Sequence, residues 1–357
     1  MLHSVIIAGG IGARFWPLSR KHRPKQVADL LGEGPMIELT IKRLEPMVPE
    51  GQRWIVTNRE QMKLIRMVMP QLLEDRFILE PVPRNTAPAI ALAAVHLLHR
   101  DPDAVMMVFP ADHRIENVDE FRSVLHRATQ LVERSPDILV TIGIKPTRPE
   151  TGYGYIQIDN AAKSPLLDVF KVKTFAEKPN LQIAKSFVQS GEFLWNSGIF
   201  IWRADAIMRQ LSEHLPQWYS GFQEIAAAIG TSREAEVTKH VFNALKGISI
   251  DYGVMEHAPE VAVVRGTFGW SDVGSWDEVW RLMSRDATGN ATRGQALAVD
   301  TKDSLILADD RLIALVGVKD LIVVDAGDAI LICPREMSQE VRSVVDALNK
   351  EGYKRYL

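Results

Sequence analysis

The stretch richest in chemistry is Gly9-Gly10-Ile11-Gly12-Ala13-Arg14-Phe15-Trp16-Pro17-Leu18-Ser19-Arg20-Lys21-His22-Arg23-Pro24-Lys25-Gln26. Glycines let a backbone approach a phosphate and turn its N–H groups toward the anion. Five cations follow within twelve residues: Arg14, Arg20, Lys21, Arg23 and Lys25. Pro17 and Pro24 oppose a long helix, so this is not the loop-into-helix fingerprint of a dinucleotide site. No Gly-Lys-Ser/Thr follows the glycines, which excludes a P-loop. A glycine loop this cationic suits a triphosphate. The planar donors of Arg14 match β- and γ-phosphate oxygens, and Lys25 is a point charge for the α-phosphate. Ala8, Gly9, Gly10 and Gly12 are the expected backbone contacts to the nucleotide. A solvated basic loop is the plainer reading, and the placement of the prolines and cations argues against it.

Two carboxylates are candidate ligands for magnesium, which takes hard oxygen donors and usually binds one or two carboxylates plus substrate phosphates. Asp112 follows the apolar run Val105–Phe109 and the turn Pro110-Ala111. Asp272 lies between Trp270 and Gly274. A turn or helix-capping role is the alternative for each, and sequence alone does not bring the two together. Glu177-Lys178-Pro179 ends a strand pattern with a charge pair, which is either a surface ion pair of little worth or a grip on hydroxyls and phosphate. Asn196 both donates and accepts, which suits a sugar diol. Gly154, in Gly152-Tyr153-Gly154, permits close backbone approach to a ligand or makes a plain turn. Glu80 opens Glu80-Pro81-Val82-Pro83-Arg84-Asn85-Thr86-Ala87-Pro88. Its carboxylate is suited to accept from the N1–H and N2–H₂ donors of guanine, while Asn85 and Thr86 face the base or cap the next helix. Asp251-Tyr252 is a further candidate lining. No histidine pair has HExxH spacing and no Gly-x-Ser-x-Gly elbow occurs, so zinc and an activated serine are not expected. Trp270 and Trp276 read as packing rather than a base platform.

Such groups need a scaffold that aims them at one place. Short apolar runs at 5–8, 54–57, 77–79, 105–109 and 138–142 alternate with helical spacing at about 59–74, 86–99 and 117–133. That alternation predicts a Rossmann-like α/β fold, a mostly parallel sheet flanked by helices. Ligands of such sheets sit at the carboxyl ends of the strands, which is where the glycine loop and Asp112 fall. Further strands are expected near 153–158, 167–175, 197–202 and 261–264, and helices at 180–190, 203–214, 216–229 and 233–245. Residues 286–295 read as a polar linker. Beyond it, runs at 297–299, 305–307, 312–316, 321–324 and 329–332 predict a small all-β, β-helix-like unit, closed by a helix at about 336–350. The expected domains are 1–288, catalytic, and 289–357, the β unit, which should contact the first domain or a second subunit in a homodimer.

The glycine loop resembles the signature of sugar-1-phosphate nucleotidyltransferases. Its Pro24-Lys25-Gln26 ending is similar to the mannose-1-phosphate guanylyltransferase (GDP-mannose pyrophosphorylase) branch. The likeness continues through Glu80-Pro81 to Pro88, Pro110-Ala111-Asp112-His113, Phe175-Ala176-Glu177-Lys178-Pro179, Trp195-Asn196-Ser197-Gly198, Ile250-Asp251-Tyr252 and Gly269-Trp270-Ser271-Asp272-Val273-Gly274-Ser275-Trp276. The resemblance implies transfer of GMP from GTP to mannose 1-phosphate, with release of pyrophosphate. It also implies Mg²⁺ on Asp112 and Asp272, Glu177 on the hexose, Lys178 near the sugar phosphate, and the Glu80 loop facing the base. The alternatives are the same reaction on glucose 1-phosphate with UTP or dTTP, and a non-catalytic nucleotide-sugar sensor. Longer family members carry a fused isomerase domain. This chain ends after the β unit, so the transferase activity alone is expected.

Bulk properties set the setting. The chain has 357 residues, 46% hydrophobic and 24% charged, with a formal net charge of −3. That balance does not suit a nucleic-acid partner, so anions must be held by local charge. No apolar run approaches the roughly 18 residues of a membrane span, and the N-terminus lacks the basic start of a signal peptide. The single cysteine, Cys333, fits a reducing compartment and reads as a small hydrophobe. A cytoplasmic enzyme using small-molecule substrates is the expectation.

Overall fold

The computed structural model describes residues 1–160 and 167–357. The central sheet contains β1 (Leu2–Ile7), β2 (Arg53–Thr57), β3 (Phe77–Leu79), β4 (Val105–Pro110), β6 (Leu139–Ile144), β7 (Gly154–Asp159), β8 (Val169–Glu177), β9 (Phe193–Arg203) and β10 (Val261–Gly266). A separate two-stranded ribbon joins β5 (Arg114–Ile115) to β11 (Trp270–Ser271). The nine-stranded order is β3-β2-β1-β4-β9-β6-β10-β8-β7. Neighbours β3 to β4 pair in parallel. β9 enters antiparallel between β4 and β6, and β8 runs antiparallel beside β10. The other seven strands share one direction. The expected α/β fold is therefore present, with reversed strands in its second half that alternation alone did not reveal.

The helices are α1 (Met36–Leu44), α2 (Arg59–Val68), α3 (Thr86–Arg100), α4 (Val118–Arg134), α5 (Leu181–Ser190), α6 (Ala204–His214), α7 (Pro216–Ala228), α8 (Glu234–Ala244), α9 (Trp276–Leu282) and α10 (Val341–Glu351). Two apolar layers bury the sheet. One face holds Ile6, Ile55, Met107 and Ile142 against α1, α2 and α4. The other holds Val5, Val56, Val108 and Trp202 against α3, α6 and α7. The alternation of Val5 and Ile6 between the layers is the period-two pattern of a strand covered on both sides. α3 is almost wholly buried through Ala87–Ala94, where small alanines permit close helix–sheet approach.

The C-terminal unit comprises β12 (Ala291–Arg293), β13 (Ala296–Val299), β14 (Leu305–Leu307), β15 (Ile313–Val316), β16 (Leu321–Asp325) and β17 (Ile330–Pro334). β12, β14 and β16 stack in parallel, as do β13 and β15, and β17 closes antiparallel on β16. These are the successive coils of a β-helix. Residues 286–295 are not the linker their polarity suggested. Asn290 is buried and its amide bridges Asp286, Thr288 and the Thr301 carbonyl, and β12 is the first coil strand. The polar side chains of this stretch satisfy one another internally.

This unit shares a core with the glycine loop. Leu305, Leu307, Ile322, Val324 and Val341 pack with Phe15, Trp16, Leu30, Val273 and Trp276. Trp16 Nε1 donates to the Tyr356 carbonyl at 2.9 Å, and Trp276 Nε1 donates to the Trp16 carbonyl at 3.1 Å. The tryptophans are packing residues, as expected for Trp276. The unit therefore contacts the first domain.

Candidate active site

The glycine loop leaves β1 at its carboxyl end. Gly12 has φ 78°, and a Cβ there would sit 2.5 Å from Lys25 Cβ. Only glycine fits both the left-handed backbone and that contact. Lys25 N donates to the Ile11 carbonyl at 3.0 Å, folding the cationic segment back over the loop. Ala111 N donates to the Ile7 carbonyl at 3.1 Å, so the turn carrying Asp112 leaves β4 beside the end of β1. Thr40 Oγ1 in α1 donates to the Ala111 carbonyl at 3.2 Å and fixes that turn.

A cleft of about 560 Å³ opens here, lined by Gly9, Gly12, Arg14, Lys25, Asp112, His113, Asp272, Gly274 and Arg342. Residues 160 positions apart in sequence, Asp112 and Asp272, thus face one space. Lys25 Nζ lies 2.7 Å from Asp112 Oδ2 and 2.7 Å from the Asp272 carbonyl oxygen. Lys25 is 6% exposed, so its ammonium is a buried cation bridging the two acidic segments. Asp272 is positioned locally: Tyr153 Oη donates to its Oδ1 at 2.7 Å, and a Cβ on Gly274 would come within 3.0 Å of its Oδ2. Burial, the largest influence, would raise Asp112, but the Lys25 ammonium, His113 and the hydrogen bonds to the carboxylate together outweigh it and hold the carboxyl below its usual range. His113 is pushed down to about 4 by burial, so it is neutral, and its Nδ1 accepts from Trp270 Nε1 at 3.1 Å.

Two carboxylates facing a cleft lined by cations fit a hard divalent ion that takes the rest of its shell from phosphate oxygens and water. Among the described residues no group of three or more His, Cys, Asp or Glu is placed to hold a metal by itself. A phosphate-dependent site is consistent with that donor set.

The sugar candidates form a second cluster. Gly154 and Glu177 face each other across β7 and β8. A Cβ on Gly154 would collide with Glu177 Oε2, so this glycine makes room for a carboxylate. Lys178 Nζ pairs with Glu177 Oε1. Asn196 Nδ2 donates to Asp251 Oδ1 at 2.6 Å. Burial pushes Asp251 up to about 6, and Glu177 nearby adds to the rise while Asn196 opposes it. Tyr153 joins the clusters: its carbonyl accepts from Lys178 N at 3.2 Å while its hydroxyl holds Asp272.

At the other end, Glu80 is 5% exposed, and a Cβ on Gly9 would lie 3.9 Å from its Oε2. Its Oε1 has no hydrogen-bond partner among the described residues. Burial pushes its carboxyl up to about 7. Asn85 caps α3, its Oδ1 accepting from Thr86 N, and Thr86 Oγ1 accepts from Ile250 N at 2.9 Å. Through these atoms both residues brace the loop that carries Glu80. Ala8 is 2% exposed and packs in the core. Gly10 is exposed beside the cleft.

Of the five loop cations, Arg14 lines the cleft. Arg20 does not: it is buried and binds Asp328 of the β unit through both terminal nitrogens. Sequence reasoning missed Tyr153 and Arg342 as site residues. It also missed Gln61, whose Nε2 donates to the Gly9 carbonyl at 3.1 Å. No local motif flags them, because each reaches the site through tertiary contact.

The glycine loop, Asp112, Asp272 and the cations Arg14 and Lys25 thus line one cleft beside the carboxyl ends of β1 and β4. Residues 3–289 match the family described as nucleotidyl transferase, and residues 294–348 match the mannose-phosphate isomerase/GMP-like β-helix domain. The chain belongs to the sugar-1-phosphate nucleotidyltransferase family. It is 39% identical to mannose-1-phosphate guanylyltransferase of Escherichia coli K12, over 98% of this chain and 74% of that protein. It is 38% identical to the Klebsiella pneumoniae enzyme of the same name, over 100% of this chain and 76% of that one. A crystal structure from Thermus thermophilus, described as a mannose-1-phosphate geranyltransferase, superposes with a TM-score of 0.87 at 34% identity, covering 98% of this chain and 99% of the other. Among the described residues no helix is long and apolar enough to cross a membrane.

Proposed function

We propose that the chain transfers GMP from GTP to mannose 1-phosphate, giving GDP-mannose and pyrophosphate. The observation that carries this is the meeting of Asp112, Asp272, Lys25 and Arg14 in one cleft behind β1, together with relatives named for this activity.

The reaction is a displacement at the α-phosphorus. An oxygen of the sugar phosphate forms the new P–O bond, the α–β bridge bond breaks, and pyrophosphate carries away the electron pair. The nucleophile is already an anion, so no general base is needed, and the neutral His113 need not act as one. Catalysis is then chiefly positioning and charge neutralisation. Asp112 and Asp272 would hold Mg²⁺, which supplies charge neutralisation at the phosphates when bound. Arg14 opposes charge growing on the leaving group. Lys25 keeps Asp112 ionised and links it to the Asp272 segment. Gly9 leaves room for the phosphates, and Gly12 leaves room for the Lys25 side chain. Glu80, whose buried carboxylate lies beside Gly9, accepts from guanine. Glu177, Asn196 and Asp251 orient the hexose, with Lys178 near its phosphate. Residues 1–288 carry this chemistry, and 289–357 buttress the loop. The single cysteine suits a cytoplasmic setting.

A pyrophosphate-release assay across GTP, UTP, dTTP and ATP with mannose and glucose 1-phosphates tests the assignment. GTP with mannose 1-phosphate should be fastest. Preference for UTP or dTTP with glucose 1-phosphate would replace the substrates but keep the reaction. Binding without release for every pair would leave a sensor.

A further inference from the structure

Most cations near the cleft are committed elsewhere. Lys25 is paired with Asp112, Arg20 with Asp328 and Arg148 with Glu150 and Glu278. Arg14 and Arg342 both line the cleft and are exposed, and no carboxylate among the described residues pairs with either. Arg342 does not belong to the catalytic sheet. It sits on α10, at the far end of the sequence, one residue after Val341, which is 2% exposed in the core shared with Phe15 and Trp276. The chain end is pinned as well, through the Trp16–Tyr356 hydrogen bond. A guanidinium carried on an anchored helix and turned into a polyanion cleft with no internal counter-ion is placed for phosphate recognition.

We propose that Arg342 contacts the β,γ-phosphates of the triphosphate, so that the C-terminal unit completes the active site. The assignment to that end follows from its neighbours. Arg342 shares the cleft with Gly12, Ala13 and Arg14, whereas the sugar cluster of Gly154, Glu177 and Asn196 lies beyond Tyr153. The departing pyrophosphate is gripped by the same fork. This rests on the nucleotidyltransferase reading above.

The test uses the full chain with Arg342→Ala, Arg342→Lys and, as a control for general charge, Lys350→Ala at the exposed far end of α10. Loss of one charge-assisted contact corresponds to roughly a tenfold change. Arg342→Ala should raise KM for GTP, and KM for pyrophosphate in the reverse direction, by about that factor. KM for mannose 1-phosphate and the melting temperature should not move. Arg342→Lys should recover part of the loss, and pyrophosphate affinity by calorimetry should follow the same order. Wild-type KM values for GTP and pyrophosphate in Arg342→Ala would overturn the proposal, as would an equal rise in Lys350→Ala. A wild-type chain that releases no pyrophosphate from any substrate pair would instead overturn the functional reading beneath it.

Discussion

At the scale of single residues, the site is built from charges whose partners are tertiary. Glu80 makes the point most testable. Its carboxyl rises from 4.5 to about 7 through burial. Between those values the folded chain holds a proton that the unfolded chain has released, so this group's contribution to stability falls as pH rises through the window. Guanine recognition has the opposite sign. Donation from N1–H and N2–H₂ requires the ionised carboxylate, so KM for GTP should fall as pH rises past about 7. The GTP phosphates titrate in this region too, so the diagnostic is the difference between wild type and Glu80→Gln. The glutamine variant should lose the extra pH dependence and bind GTP more weakly. A pH profile identical in the two proteins would remove Glu80 from base recognition. The types and order of the chemical residues were legible in sequence, because glycine loops and post-strand aspartates have local signatures. The pairing of Lys25 with Asp112 was not, since nothing local says which charge a buried ammonium will meet.

At the scale of elements, strands and helices place the groups by their ends. β1 and β4 deliver the loop and Asp112, β7 and β8 deliver Gly154 and Glu177, and the short connection from β11 to α9 delivers Asp272. Ser275 caps α9 by accepting from Glu278 N, and Ser271 Oγ accepts from Val273 N and donates to Glu278 Oε1 at 3.0 Å, so that connection is braced from both sides. The strand–helix alternation of the first half was readable because each strand is buried on both faces. α1 and α9 were missed: α1 follows directly on the helix-breaking stretch Gly32-Glu33-Gly34-Pro35, and α9 has only seven residues. The strand expected near 197–202 is β9, but its reversal was not legible, because direction depends on the partner, not on the strand's own pattern. Gly154→Ala tests an element-level device. The new methyl displaces the flexible end of Glu177 rather than backbone, so folding should survive. KM for mannose 1-phosphate should rise about tenfold, the loss of roughly one hydrogen bond to a charged group. An unchanged KM for the sugar phosphate would show that Glu177 does not touch it.

At the scale of the molecule, the β-helix coils are part of the same body as the catalytic loop. The polar stretch at 286–295 concealed this, because buried networks such as that of Asn290 use the same residue types as solvated linkers. Leu305 is fully buried in the shared core. Leu305→Ala should cost about 2–5 kcal/mol. Calorimetry should show one transition moved down, with activity lost at the same temperature. A separate low-temperature transition that leaves transferase activity intact would mean the two units fold independently. On the proposed function, one divalent ion shared by Asp112 and Asp272 would join the cations of the loop in holding the triphosphate. Manganese titration followed by electron paramagnetic resonance, with a non-hydrolysable GTP analogue bound, reads it directly. The wild-type complex should bind Mn²⁺ far more tightly than the same protein without nucleotide, and Asp112→Asn and Asp272→Asn should each abolish that gain. Wild-type Mn²⁺ affinity in either variant would remove that aspartate as a ligand and, with it, the shared ion.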